Sequence, residues 1–222
     1  MRPPGGSSIA LAFLVSMLSA MQVSAEISSE ISVEPYAGLQ GGVFLWPAYS
    51  NRDEVEADTG PGFSWAVVGG LDLRAAPRDD ASVRLWTRLL RRFSGRVELE
   101  VGQRFADIHG INDGPLQLTG DGKTLQATTA HVNLWPAVKV ASGVRIYAGG
   151  GGGGTWLRGL GSDKRVWSGQ AGLGLLFDLP LEGCSMRLDV GWRSFFANST
   201  KLRGALADFD AHGGVLGVQV AF

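Results

Sequence analysis

The sequence predicts an all-β protein: an eight-stranded antiparallel up-and-down transmembrane β-barrel, with a short amphipathic helix in one connection. Three observations point there. From Val33 onward the chain repeats roughly ten alternating residues and then a polar turn, close to the length of a tilted membrane strand. Aromatic residues gather at the ends of these units, where amphipathic rings sit at membrane surfaces. Mean hydropathy is only +0.08 although 45% of the residues are apolar, as one lipid face and one charged face would average.

Composition removes the competing classes. A net charge of −1 in so apolar a chain excludes disorder and gives no electrostatic case for a nucleic-acid partner. The 33 glycines follow no three-residue period, which excludes collagen. No run after residue 25 reaches the ~20 apolar residues of a membrane helix.

Residues 1–25 read as a cleaved signal peptide: Met1-Arg2, an apolar stretch from Ile9 to Met21, then Val23-Ser24-Ala25 before the cut. An uncleaved anchor is the alternative. The barrel domain is then 26–222, and Cys184, the single cysteine, cannot form an internal disulfide.

The strands fall at 33–46, 62–74, 95–106, 123–135, 143–156, 166–178, 185–197 and 212–222. The first is ambiguous, with apolar residues on both faces. In the third, Val97, Leu99 and Val101 oppose Arg96, Glu98, Glu100 and Arg104. The sixth sets Ala171, Leu173, Leu175 and Phe177 against Ser168, Gln170 and Asp178. In the seventh, Met186, Leu188, Val190 and Trp192 oppose Arg187, Asp189 and Arg193. The eighth lines up Leu216, Val218, Val220 and Phe222. A soluble lipocalin-like barrel would turn the apolar face inward, a membrane barrel outward. The aromatics favour the membrane: Trp46, Trp65, Phe105, Trp156, Trp167 and Phe195-Phe196 form one predicted belt, and Trp135, Phe177 and Phe222 the other.

Long outer loops are expected at 47–61, 107–122, 157–165 and 198–211, with short inner turns at 136–142 and 179–184. The connection 75–94 is too long for a turn. Within it Ser82–Phe93 places Arg84, Arg88, Arg91 and Arg92 opposite Val83, Trp86, Leu89, Leu90 and Phe93 on a helix. Such a basic helix with tryptophan on its apolar face suits a lipid surface; a strand extension or a helix on the barrel rim is the alternative.

The stretch Gly95–Phe105 resembles the third strand of the small opacity-protein and outer-membrane-protein-A-like barrels (porin family). Thr129–Trp135 is similar to their fourth strand, Arg145–Gly151 to their fifth, and Val218-Gln-Val-Ala-Phe222 to their terminus. The resemblance implies a Gram-negative outer-membrane barrel, a monomer in contact with outer-membrane lipid and lipopolysaccharide. It also implies that the terminal strand ending on Phe222 is read by the barrel assembly machinery. It implies no cofactor and little chemistry.

Motifs for other chemistry fail on mechanics. Gly122-Lys123-Thr124 lacks the earlier glycine of a phosphate loop, since Gln117 stands there, and no helix follows. Gly149–Gly154 precedes no helix either. His109, His131 and His212 form no metal spacing and no histidine–serine pair. The enzyme alternative, a lipid A acyltransferase or deacylase, would draw on His109, His212 and Ser199 at the outer boundary. The favoured expectation is a non-enzymatic surface protein with an unidentified extracellular ligand. Asp72, Glu98, Glu100, Asp178 and Asp189 would face Arg74, Arg96, Arg104, Arg145, Arg187 and Arg193 across a lumen that side chains fill. Such a lumen is plugged by ion pairs; a small gated pore is the alternative.

Overall fold

The computed structural model describes residues 31–46, 49–50, 55–75, 92–113, 116–159, 162–181, 184–202 and 205–222. The signal peptide and residues 76–91, with Arg84, Trp86, Arg88 and Arg91 of the expected helix, lie outside them. Arg92 is in a turn and Phe93 already begins a strand, so the end of the expected helix is extended chain.

Ten strands follow in order: β1 Ile31–Leu45, β2 Tyr49–Ser50, β3 Val55–Thr59, β4 Gly62–Ala75, β5 Phe93–Asp113, β6 Leu116–Ala141, β7 Val144–Gly159, β8 Ser162–Leu181, β9 Cys184–Leu202 and β10 Ala205–Ala221. Eight of them, all but β2 and β3, pair antiparallel with their chain neighbours, and β1 pairs with both β4 and β10. The sheet is therefore a closed eight-stranded barrel with no open edge around its wall. The Phe222 amide donates to the Pro35 carbonyl at 3.0 Å and fastens the terminus to β1. At the same end Ser142-Gly143 turns the chain from β6 to β7. Gly143 has φ 70, a conformation side chains resist, and the register slips by one between Lys139 and Ala141.

The polarity is inverted relative to a soluble barrel. Leu39, Val43, Val132, Leu134, Leu173 and Leu216 all lie outside and are mostly exposed, while the charged residues are within. A lipocalin-like carrier needs the opposite arrangement. Along β8 the outward rings Trp167 and Phe177 stand ten residues apart, about 33 Å of strand and roughly 25 Å of depth once tilted. That equals the apolar band of a membrane barrel.

The expected loops at 107–122, 157–165 and 198–211 are instead continuations of the hairpins. β6 alone has 26 residues, more than twice the 9–11 that cross a membrane. A hairpin standing in water can be polar on both faces, so its alternation vanishes from the sequence although its pairing continues. β3 likewise pairs with β5 beyond the end of β4, inside the expected loop 47–61.

Candidate functional site

Among the described residues the lumen gathers the buried polar side chains, and strand alternation puts them there. Three tiers can be followed from the terminal end. In the first, Arg145 donates to Asp72 and to Asp178, both at 2.8 Å. Arg187 pairs with Glu34 and, at 3.2 Å, with Asp72, and Arg74 reaches Asp72 at 2.8 Å and Glu34 at 3.0 Å.

The middle tier couples aromatics to carboxylates. The Tyr36 hydroxyl donates to Glu98 at 2.9 Å and the Trp135 indole donates to its other oxygen at 3.0 Å. Tyr147 donates to Asp189 at 2.6 Å. Arg96 lies over the Tyr147 ring at 4.8 Å and donates to Gln219 at 3.2 Å. Tyr147 itself lies across β8 and β9: a side chain at Gly174 or Gly191 would strike its hydroxyl. These two glycines face each other across the pair, and only their missing Cβ atoms make room for the ring.

The third tier centres on Glu100. It accepts from Arg193 at 3.1 Å, Arg104 at 3.2 Å, Gln170 at 2.5 Å and Asn133 at 3.2 Å. Arg193 also stacks over Trp135, 4.4 Å from its centroid, and Arg104 over Phe195 at 4.6 Å. A cavity of about 10 Å³ beside Gln40, Glu100, Arg104 and Arg193 holds no more than about one water. Beyond it an apolar cluster built on Phe44, Trp46, Leu125, Leu157 and Phe195 closes the far end. Among the described residues six acids therefore face six arginines, the sixth acid being Glu34. The first strand looked two-faced, yet Glu34, Tyr36 and Gln40 share one parity, and that was the available signal.

Three aromatics are not where the belts put them. Trp135 is fully buried in the lumen, because it shares parity with Thr129, His131 and Asn133, and Glu98 takes its N–H. Trp46 and Phe195 turn inward into the apolar cap, the former only 6% exposed. Outward remain Trp65, Trp156, Trp167 and Phe196, with Phe105 stacked on Phe63 at 4.8 Å. Phe177 and Phe222 lie on the outer face at the terminal end.

The histidines also need correction. His131 Nε2 and Ser168 Oγ are hydrogen-bonded at 2.7 Å, and Ser168 in turn meets Thr155 at 2.6 Å, a histidine–serine pair that linear spacing concealed. It is not a triad: His131 Nδ1 has no hydrogen-bond partner, so no carboxylate orients the ring. His212 faces outward with its ring against Trp192, 5.8 Å between centroids. The side chains of His109 and Ser199 lie outside the described residues.

A closed eight-stranded antiparallel barrel, apolar outside and charged within, has the architecture of the small outer-membrane barrels. The crystal structure of Neisserial surface protein A is similar over 85% of this chain and 97% of that one, at 13% identity and a TM-score of 0.52. Ail, the attachment invasion locus protein of Yersinia pestis, in complex with the heparin analogue sucrose octasulfate, aligns over 88% of this chain and all (100%) of that one, at 13% identity and a TM-score of 0.44. The outer membrane protease OmpT from Escherichia coli aligns over 90% and 100% at 7% identity and a TM-score of 0.35. No protein-family model and no curated protein matches the chain. At such identities the likeness is one of fold.

Proposed function

We propose that this chain is a non-enzymatic integral outer-membrane barrel. It is exported by a cleaved signal peptide and inserted as a monomer through its terminal strand. Its ion-paired lumen blocks diffusion, and its hairpins present a surface on the side away from the termini. The observation that carries this reading is the inverted polarity: among the described residues, a predominantly apolar exterior surrounds a lumen of six acids and six arginines. Exterior leucines of this number are unfavourable in water and favourable in lipid. The short Ser142-Gly143 turn at the terminal end supports a periplasmic placement of that end.

The experiment has two parts. Protein from the membrane fraction should migrate faster on a gel unheated than boiled, the behaviour of a folded barrel. In planar bilayers it should give no steady current; sustained nanosiemens conductance refutes the plugged lumen. On the enzyme question, Ser168→Ala should leave the mass spectrum of lipid A unchanged in cells carrying the protein, and a changed acyl pattern would reverse the assignment.

A further inference from the structure

The outer wall carries a cleft of about 470 Å³ at the hairpin end, within the range of small-ligand sites. Its position follows from register. One cross-strand row reads Trp65, Gln103, Thr128, Trp156, Arg165. The next row outward brings Gln126 beside Arg158, and Arg158 opposite Asp163. The row beneath is apolar throughout: Val67, Val101, Ala130, Gly154, Trp167. Polar groups thus begin two residues along each strand above the lipid-facing wall.

From this arrangement we infer that the cleft binds the phosphorylated headgroup of an outer-leaflet glycolipid, its acyl chains lying on the apolar rows below. The inference rests on the membrane reading proposed above. The cleft is bordered by two outward cations, Arg158 and Arg165, against one carboxylate, Asp163, while Lys164, also at its edge, shares the parity of the inward Leu157. Arg165 lies over the Trp156 ring at 5.8 Å, which orients its guanidinium at the wall. Arg158 meets Asp163 at 3.4 Å, with both side chains at least 70% exposed. An ion pair so exposed contributes little, and a phosphate oxygen replaces the carboxylate without exposing a buried charge. Gln103, Gln126 and Thr128 supply amide and hydroxyl groups for sugar hydroxyls. Asp107, the next acid outward, already accepts from Thr124 at 3.0 Å and does not oppose the site.

The test is native mass spectrometry of the refolded full chain in detergent with three probes: bisphosphorylated lipid A, its dephosphorylated form and inorganic phosphate. Lipid A should bind. Arg158→Gln and Arg165→Gln should each weaken it roughly fivefold, Asp163→Asn should strengthen it, and Lys139→Gln at the opposite end should change nothing. Equal binding of the dephosphorylated lipid, or indifference to both arginines, overturns the site. Displacement of lipid A by inorganic phosphate at equal concentration overturns the lipid as its ligand. Membrane insertion is read independently, by heat-modifiable migration after incorporation into vesicles. A chain that inserts but ignores the phosphates refutes the site alone. One that binds through these arginines yet fails to insert refutes the membrane reading and supports the site.

Discussion

Replacing Glu100 by glutamine keeps its volume and removes one charge from the third tier of the lumen. Glu100 accepts from two arginines, one glutamine and one asparagine, and is 3% exposed. The amide has one acceptor oxygen where the carboxylate had two, and its NH2 group faces donors. Arg104 and Arg193 lose their shared counterion, although Arg193 keeps Glu98 at 3.8 Å and its stacking on Trp135. Breaking a buried ion pair from one side typically costs 3–5 kcal/mol, and the remaining contacts place Glu100→Gln at about 3 kcal/mol. Reversible urea unfolding in lipid vesicles, followed by tryptophan emission, measures it. Glu100→Gln combined with Arg193→Met should recover about 1 kcal/mol or more, since neutrality returns and methionine fills the space. A loss below about 1 kcal/mol for the single variant would mean the lumen is hydrated and its pairs water-screened, contrary to the packing described.

Leu173→Arg, on the outer face, should cost roughly 2–4 kcal/mol in vesicles and reduce insertion; in a soluble barrel the same change would be neutral, so unchanged stability refutes the lipid face. Gly174→Val should drive the Tyr147 ring off β8 and release Asp189, abolishing heat-modifiable migration; a normally folded variant would contradict the contact. Trp135→Phe should lower stability by about 1–3 kcal/mol, because it leaves one Glu98 oxygen with only the longer bond from Asn133 at 3.4 Å; urea unfolding curves at matched lipid read it, and unchanged stability would refute the contact.

Much of the fold was readable because alternation carries information in both directions. In β5 and β9 the arginines and acids share one parity and the aliphatics the other, so the two faces were separable, and the aromatics at the strand ends were what chose the charged one as inner. Trp135 shows the limit: its position at a strand end suggested an interface ring, but parity with Asn133 and His131 was the stronger signal. Side-chain type alone cannot separate an aromatic at a membrane surface from one donating to a buried carboxylate. The pairing of His131 with Ser168 was unreadable for another reason, since it joins residues two strands apart across the lumen. The hairpin extensions left no trace because water on both faces erases the period.

The origin of each lumen charge has a consequence for how the barrel forms. Arg187 on β9 meets Asp178 across the β8–β9 hairpin at 3.4 Å, but its other two carboxylates, Glu34 on β1 and Asp72 on β4, lie outside that hairpin. Glu100 on β5 needs Gln170 from β8 and Arg193 from β9. A sheet of four or five strands would leave several of these charges with only the partners on their own or the adjacent strand, such as Arg104 for Glu100, in surroundings without water. Partial barrels are thereby penalised, because the contacts of β1 and β4 with β9 and of β5 with β8 and β9 form only as the barrel closes. Closure is the event that completes these networks, so the closed barrel gains contacts that no partial sheet can make.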